Sequence, residues 1–219
     1  MRLSFPVMVV SALFFACTGC GERGESPATI SQYPPIRFSR LPVDGPIRRP
    51  EGEFGAPRKG GTKTHRGIDL LARKGTPIRA VYPGVVVYNE MNGTATEGYG
   101  FTLIIDHMND YYTLYAHLDS KSPLEPGVHV AGGDIIGRVG HSGNASGLDE
   151  GVRDQVHFEV IHAPSGMLDY LGIRIIDSLS PKTITTLREI AAANYGEGGG
   201  CLNPLHFYEG APAYAEKLQ

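Results

Sequence analysis

Residues Gln155–Val160 read Gln-Val-His-Phe-Glu-Val, and polar and apolar side chains alternate through the whole stretch. Alternation with a period of two is typical of a half-buried β-strand. The three apolar side chains are therefore expected to face a core, while Gln155, His157 and Glu159 share the opposite face. The strand thus indicates a β-rich fold and brings one histidine forward as a candidate site residue.

A second short segment supplies the partners that such a histidine needs. His65 and Asp69 lie in the sequence His-Arg-Gly-Ile-Asp, next to a glycine and ahead of an apolar run, so they are expected at the entrance of a strand. Two imidazoles and one carboxylate form a ligand set that suits zinc, with a fourth position left for water. We predict one Zn²⁺ per chain, bound by His65, Asp69 and His157.

These residues resemble the lysostaphin-like (LytM-type) family of zinc metallopeptidases, whose domains cut peptidoglycan cross-links. The family pattern is H-x-x-x-D, then Tyr-Ala-His-Leu, then H-x-H on a late strand. The first motif is present at His65–Asp69 and the second at Tyr115–Leu118, and the similarity runs from about residue 52 to residue 161. The resemblance implies an all-β fold with an antiparallel β-sheet or sandwich core, and peptidoglycan peptides as substrates.

The third motif departs from the family pattern, because Gln155 stands where the first histidine of H-x-H occurs. In the family this histidine helps to hold and deprotonate the water at the metal, whereas a glutamine amide takes up no proton at physiological pH. Such a proton transfer contributes about 10²–10⁴-fold to a rate. We therefore assign catalytic positions to Gln155, which decides the level of activity, and to His117, which the resemblance implies orients water or stabilises the oxyanion.

The strand Tyr111–Leu118 is expected to present His117 to the site. By alternation Tyr115 and His117 face one way, and the apolar side chains between and after them face the other. His141, in a glycine-containing loop, is the alternative proton carrier. Glu159 is expected to be a supporting or structural residue. The remaining histidines are expected to be structural or surface residues: His107, His129, His162 and His206.

Two functions remain open on this reasoning. The first is a membrane-anchored zinc endopeptidase acting on peptidoglycan cross-link peptides and weakened by Gln155. The second is a non-catalytic LytM-like domain that binds the cell wall or activates a peptidoglycan amidase. Retention of the three ligand positions favours the enzyme, and a net charge of −3 gives no reason to expect a nucleic-acid partner.

The N-terminus has the features of a bacterial lipoprotein signal peptide. Arg2 precedes an apolar stretch over 7–16 that is too short for an ordinary membrane-spanning helix. Small residues then precede Cys20, the favoured lipidation site, with Cys17 as the alternative. If cleavage occurs before Cys17, Cys20 and Cys201 are able to pair as a disulfide in the oxidising periplasm. No aspartate follows Cys20, so we expect a periplasm-facing protein anchored to the outer membrane.

The order of segments follows from composition and local signals. The 29 glycines and 16 prolines, with no tryptophan, suit a β-rich domain with many tight turns. Ser180 and Pro181 are the N-cap and first residue of a predicted amphipathic helix over about 181–194. We expect a signal peptide at 1–20, a flexible tether at 21–40, a LytM-like peptidase domain at 41–165, an extension at 166–200 containing that helix, and a C-terminal tail at 201–219.

Overall fold

The computed structural model describes residues 36–108, 110–162 and 201–210, and these residues form a mostly antiparallel β-structure with very little helix. The all-β prediction is confirmed. The signal peptide, Cys17, Cys20 and the helix predicted at 181–194 lie outside the described residues. Within the described residues, no helix is long and apolar enough to cross a membrane.

The strands are β1 (Pro57–Arg58), β2 (Lys63–Thr64), β3 (Ile68–Leu71), β4 (Pro77–Arg79), β5 (Gly84–Gly93), β6 (Gly98–Asp106), β7 (Tyr111–Leu118), β8 (His129–Val130), β9 (Ile135–Arg138), β10 (Gln155–His162) and β11 (Cys201–Leu202), with the helix α1 at Glu150–Arg153.

The main element is a seven-stranded sheet in the order β11-β10-β7-β6-β5-β8, in which β3 also pairs with β10. All of these pairings are antiparallel. Strands β3 and β11 share one edge of β10: β3 pairs with Gln155–Phe158, and β11 pairs with Val160 and Ile161. This arrangement puts β10 in the interior of the sheet, with neighbours on both sides.

Strand β10 is buried on both faces, so the expectation of a half-buried strand is wrong. Val156, Phe158 and Val160 pack in the larger hydrophobic cluster, as the alternation predicts. Gln155, His157 and Glu159 point to the other face, called the site face here, and their exposed fractions are 2%, 3% and 0%. A polar face inside the protein requires internal partners for every polar group, because unpaired burial of such groups costs free energy.

Part of the segment expected to be a flexible tether is buried. Ile36 and Phe38, which lie in the segment assigned to the tether, pack into the core with exposed fractions of 0% and 2%. Phe38 pairs with Tyr208 across a parallel β-bridge, and its ring meets that of Phe158 edge-on at 5.9 Å between centroids. The C-terminal tail is also ordered over 201–210, where β11 extends the sheet. Chain segments far apart in sequence therefore close the domain together.

His117 lies on the site face as expected, but Tyr115, which was expected on the same face, lies in the core. Ala116 lies opposite His157, and Tyr115 lies opposite Phe158, in the β7–β10 pairing. Because opposed residues point to the same face, strict alternation would send His117 to the core face with Tyr115. Instead His117 has a φ of +62°, and its ring lies 6.0 Å from that of His157. This left-handed backbone conformation, uncommon for a non-glycine residue, turns His117 onto the site face while Tyr115 stays in the core.

A buried polar chain on the core side supports the same strand. His107 Nδ1 donates to the carbonyl oxygen of Pro83 at 2.7 Å, and its Nε2 lies 2.9 Å from the hydroxyl of Thr113. That hydroxyl lies 3.1 Å from the hydroxyl of Tyr115, which in turn accepts from the backbone N–H of Val81. Burial lowers the pKa of His107 to about 4, so the ring is neutral near pH 7. With its single proton on Nδ1, its Nε2 accepts from Thr113.

His107 is expected to make folding stability depend on pH. Burial lowers the pKa of His107 from 6.5 to about 4. Between these values the unfolded chain binds a proton that the folded chain does not, so stability falls as pH drops from 6.5 towards 4, by up to about 3 kcal/mol for this group. His107→Asn should lower the free energy of unfolding at pH 7, and this variant should lose less of that free energy than the unaltered protein when the pH falls to 4.5. Urea unfolding at both pH values, with chelator present, measures the two effects. The exposed His129 gives a matched His→Asn control, and an unchanged pH slope in His107→Asn would contradict the assignment.

Candidate metal centre

Three side-chain atoms from separate segments converge on the site face. His65 Nε2 lies 2.9 Å from His157 Nδ1 and 3.1 Å from Asp69 Oδ1. The third side of the triangle, from His157 Nδ1 to Asp69 Oδ1, measures 2.8 Å. Atoms bound at about 2.0–2.1 Å around one tetrahedral zinc lie close to these separations. The structure therefore brings together the three residues that the sequence nominated as metal ligands.

The two histidines are each held in the tautomer that metal binding needs. His65 Nδ1 lies 2.9 Å from the carbonyl oxygen of Glu53, which only accepts, so Nδ1 carries the proton and Nε2 keeps its lone pair. His157 Nε2 lies 2.9 Å from the carboxylate of Glu159, so it donates there and leaves Nδ1 for the cluster. A metal-binding histidine typically donates its outer N–H to a carboxylate or carbonyl in this way.

The carboxylate of Asp69 is oriented in the same manner. Its outer oxygen, Oδ2, accepts from Arg48 Nη2 at 2.8 Å and faces Arg58 Nη2 at 3.5 Å. The inner oxygen, Oδ1, is left to face the two imidazoles. All three residues thus satisfy their outer atoms with protein partners and direct their inner atoms at one point, which fits a bound divalent cation.

The local backbone explains how the first two ligands reach this point. Asp69 lies directly opposite His157 in the β3–β10 pairing, so both side chains project to the site face. His65 precedes β3 and is fixed by backbone hydrogen bonds with Gly55 and Ala56. Between the two ligands, a β-carbon on Gly67 would lie 2.3 Å from the carbonyl oxygen of Phe158. Only glycine allows the chain to approach β10 this closely.

The electrostatics of the cluster favour a cation. Burial would lower the pKa of His157, but hydrogen bonds to Asp69 and Glu159 raise it to about 9. Burial would raise the pKa of Asp69, yet its hydrogen bonds to His157 and His65 bring it well below the usual value. In the absence of metal, a proton on His157 thus holds the carboxylates together. A metal ion is expected to displace that proton, because the ligand must be a neutral imidazole.

His117 lies beside the cluster with its outer nitrogen anchored. Its Nδ1 lies 2.8 Å from the carbonyl oxygen of Ser142, so Nδ1 donates and Nε2 carries the lone pair. Burial, together with the nearby His157, lowers the pKa of His117 to about 4. The ring is therefore neutral near pH 7, and Nε2 is able to accept a hydrogen bond or a proton. Among residues 36–108, 110–162 and 201–210, none is hydrogen-bonded to this nitrogen.

Gln155 also lies on the site face, and its environment contains a residue that sequence reasoning missed. Arg48 Nε donates to Gln155 Oε1 at 3.1 Å, while Nη2 of the same guanidinium holds Asp69. The separation of 107 positions between Arg48 and Gln155 leaves no local signal for this contact. Arg48 also precedes the first motif of the family pattern in the sequence, so the motifs do not include it.

Tyr99 is a second site residue that the sequence did not reveal. Its hydroxyl donates to Glu159 Oε1 at 2.5 Å, and its ring centroid is 5.1 Å from that of His157. Glu159 thus links Tyr99 to the outer nitrogen of His157, an arrangement that agrees with the supporting role expected for it. His141 is held by Asp154 at 2.7 Å, while His129 and His206 are exposed. Cys201 is buried, with Sγ 3.8 Å from Glu159 Oε2, and its proposed partner Cys20 lies outside the described residues.

Part of the chain matches a known protein family. Residues 63–167 match the sequence profile of peptidase family M23. Over 85 residues the chain is 42% identical to the DD-carboxypeptidase/endopeptidase Mpg of Neisseria meningitidis, covering 39% of this chain and 18% of that protein. Over 133 residues it is 36% identical to the murein hydrolase activator NlpD of Salmonella dublin, covering 61% and 30%. Over 117 residues it is 37% identical to the peptidoglycan DD-endopeptidase ShyC of Vibrio cholerae, covering 50% and 25%.

The chain spans less than a third of the length of these curated relatives. Among solved structures, a zinc-containing peptidase from Vibrio cholerae has a TM-score of 0.44 and 30% identity, over 57% of this chain and 36% of that one. The catalytic domain of the prophage-encoded M23 protein EnpA from Enterococcus faecalis has a TM-score of 0.39 and 28% identity, over 57% and 82%.

Proposed function

Because residues 63–167 match peptidase family M23, we propose that this protein is a zinc-dependent endopeptidase that hydrolyses peptide cross-links of peptidoglycan. The observation that carries the proposal is the convergence of His65 Nε2, Asp69 Oδ1 and His157 Nδ1 within 3.1 Å of one another. Burying three polar groups at this distance costs desolvation free energy. A divalent cation bound between them offsets that cost.

The roles of the chain's own residues follow from their hydrogen bonds. Bound zinc would polarise a peptide carbonyl and lower the pKa of a water molecule towards neutrality. Glu159 and Tyr99 keep His157 in the ligand tautomer. His117 Nε2 accepts the proton of the attacking water, since Ser142 holds its other nitrogen protonated. The buried site excludes bulk water around these groups, which strengthens each electrostatic contact.

A second candidate function rests on Gln155, which offers no proton acceptor to the site. On this alternative the domain binds peptidoglycan or activates a separate cell-wall amidase without cleaving peptides itself. The relative NlpD, described as a murein hydrolase activator, gives this alternative its support. The retained ligand set favours the enzyme, because an activator surface has no need for three converging ligand atoms.

The proposal includes attachment to the envelope through a lipid on Cys20, with Cys17 as the alternative site. It rests on three features in order: the positively charged Arg2, a short apolar stretch, and small residues before cysteine. Covalent lipid together with a second signal anchors a protein to a membrane without a spanning helix. Cys20→Ser is expected to stop processing or release the protein from the membrane fraction. A processed Cys20→Ser protein that still fractionates with membranes would move the anchor to Cys17.

Digestion of isolated peptidoglycan separates the two candidate functions. The purified protein should lower the amount of cross-linked dimeric muropeptides and raise that of monomers, as measured by mass spectrometry. Chelator should stop the reaction, and stoichiometric zinc should restore it. Protein that holds zinc, releases no peptide and accelerates an added amidase would replace the enzyme with the activator.

A further inference from the structure

We infer that Gln155 donates a hydrogen bond to the oxygen of the scissile carbonyl, and that Arg48 is the positioning residue that sets this role. The inference rests on the proposed peptidase function and specifies how the altered motif position contributes to it. A proton acceptor at this position would act on the attacking water. A donor acts instead on the carbonyl oxygen of the substrate, which gains negative charge when water attacks. With glutamine at this position, residue 155 therefore stabilises that oxygen and does not accept a proton from water.

The orientation of the Gln155 amide is determined by its neighbour. Arg48 Nε lies 3.1 Å from one of the two terminal amide atoms. A guanidinium carries only donors, so the amide atom that faces it must be the oxygen. The amide nitrogen, with its two N–H groups, is therefore turned away from Arg48. Within the described parts of the chain, no acceptor is hydrogen-bonded to that nitrogen, so no described residue uses its two N–H groups.

Arg48 is itself fixed by the fold. Residues 46–48 run beside β3, where the N–H of Arg48 donates to the carbonyl of Asp69 at 2.8 Å and the N–H of Leu71 donates to that of Pro46 at 2.8 Å. From this edge the side chain reaches across β3 to β10, and it is only 12% exposed. Its Nη2 bond to Asp69 at 2.8 Å leaves the guanidinium little freedom to turn. One arginine thus holds a metal ligand and the Gln155 amide together.

The position of Gln155 relative to the metal cluster suits the donor role. Gln155 and His157 lie two residues apart on one face of β10, a spacing of about 7 Å along a strand. A carbonyl group held at the cluster is within reach of a glutamine side chain from that distance. Donors aimed at the oxygen that becomes negative lower the barrier, and removal of one such donor typically costs about 10²–10³-fold in kcat.

The two catalytic positions then have complementary tasks. His117 presents a lone pair on Nε2, because its Nδ1–H is used by Ser142. Gln155 presents N–H groups, because its oxygen is used by Arg48. Proton acceptance and oxygen stabilisation are thereby divided between the two residues. This division allows activity although glutamine replaces the first histidine of the H-x-H motif.

The inference is tested with zinc-loaded Gln155→Met, Gln155→Glu and Arg48→Met proteins. Methionine removes the donors without adding charge, and glutamate keeps the acceptor for Arg48 while removing the donors. Arg58→Met is the matched control for the Asp69 contact, since Arg58 faces Asp69 but not Gln155. Arg49→Met controls for charge, because Arg49 is half-exposed and pairs with Glu53 at 3.2 Å. The readouts are kcat and KM on cross-linked muropeptides, and calorimetric binding of a phosphinate analogue of a D-alanyl-diaminopimelyl bond.

Both Gln155 variants should lose about 10²–10³-fold in kcat with KM nearly unchanged, and should bind the phosphinate about 10²-fold more weakly. Arg48→Met should show a smaller loss of kcat and of phosphinate affinity, because the Gln155 amide is then free to turn. Arg58→Met should lower zinc affinity but keep phosphinate affinity once zinc is saturating, and Arg49→Met should match the unaltered protein.

Two results would overturn the inference, and they are distinguishable. If the unaltered protein cleaves muropeptides and Gln155→Met cleaves them and binds phosphinate equally well, Gln155 is not a donor and the peptidase function stands. If the zinc-loaded unaltered protein neither cleaves nor binds phosphinate, the proposed peptidase function fails and the inference fails with it.

Discussion

Replacing His157 with alanine is expected to remove zinc and to lower peptidoglycan hydrolysis by at least about 10³-fold. His157 supplies one of the three converging atoms, 2.8 Å from Asp69 Oδ1 and 2.9 Å from His65 Nε2. A metal ion contributes several kcal/mol to stabilising developing charge, and each 1.36 kcal/mol is a factor of ten in rate. Elemental analysis of the purified variant and the muropeptide assay measure the two effects.

The same variant should also be less stable than the unaltered protein in the presence of zinc. Alanine leaves Asp69 and Glu159 buried without the imidazole that lies between them. Each carboxylate thereby loses one of its partners, and removal of one member of a buried ionic network is strongly destabilising. Circular dichroism establishes that the variant is folded before its metal content is interpreted. His129→Ala, on the exposed strand β8, is the matched histidine control and should retain zinc.

Glu159→Gln separates a ligand from a supporting residue. The amide keeps the shape of Glu159 but removes the negative charge that orients His157, so zinc affinity should fall about 10–100-fold without being lost. Full zinc content and activity in His157→Ala would remove His157 from the ligand set. An equal loss in both variants would mean that Glu159 acts as more than a support.

Replacing Gln155 with histidine is expected to change the rate by less than about tenfold unless Arg48 is also replaced. The family pattern alone predicts a larger gain, because the histidine would restore a proton acceptor. In the structure, Arg48 donates to residue 155. A ring nitrogen facing the guanidinium must offer its lone pair there, and the other nitrogen of a neutral imidazole then carries the proton. The introduced ring thus presents a donor to the site.

Combining Gln155→His with Arg48→Met should release the acceptor and raise cleavage by about 10²-fold over Arg48→Met alone, the usual size of a general-base contribution. The measurement is a double-mutant cycle on kcat/KM at saturating zinc, which compensates for the lost contact between Arg48 and Asp69. The gain should also require His117, because both groups act on the same water. A single Gln155→His variant that gains as much as the double variant would show that Arg48 does not control residue 155.

The sequence by itself determined the β-class of the fold and the candidate ligands, because both depend on short-range patterns. Tyr111–Leu118 was predicted with the observed bounds, and the alternation in β10 correctly assigned Val156, Phe158 and Val160 to the core. Strand periodicity is a property of neighbouring residues and survives in a single sequence. His65, Asp69 and His157 were nominated through motif order, and the structure brings them together.

Tertiary structure alone decided which way His117 faces and what surrounds Gln155. A φ of +62° at His117 is a backbone conformation that no side-chain pattern indicates. It places His117 on the site face and separates it from Tyr115, which lies in the core instead of beside it. Arg48 reaches Gln155 across β3 from 107 positions away, a contact that exists only once residues 46–48 lie along that strand. Burial of both faces of β10 likewise depends on segments distant in the chain, including residues 36–40 and β11. Contacts of this kind arise from packing, so periodicity and motif spacing carry no record of them.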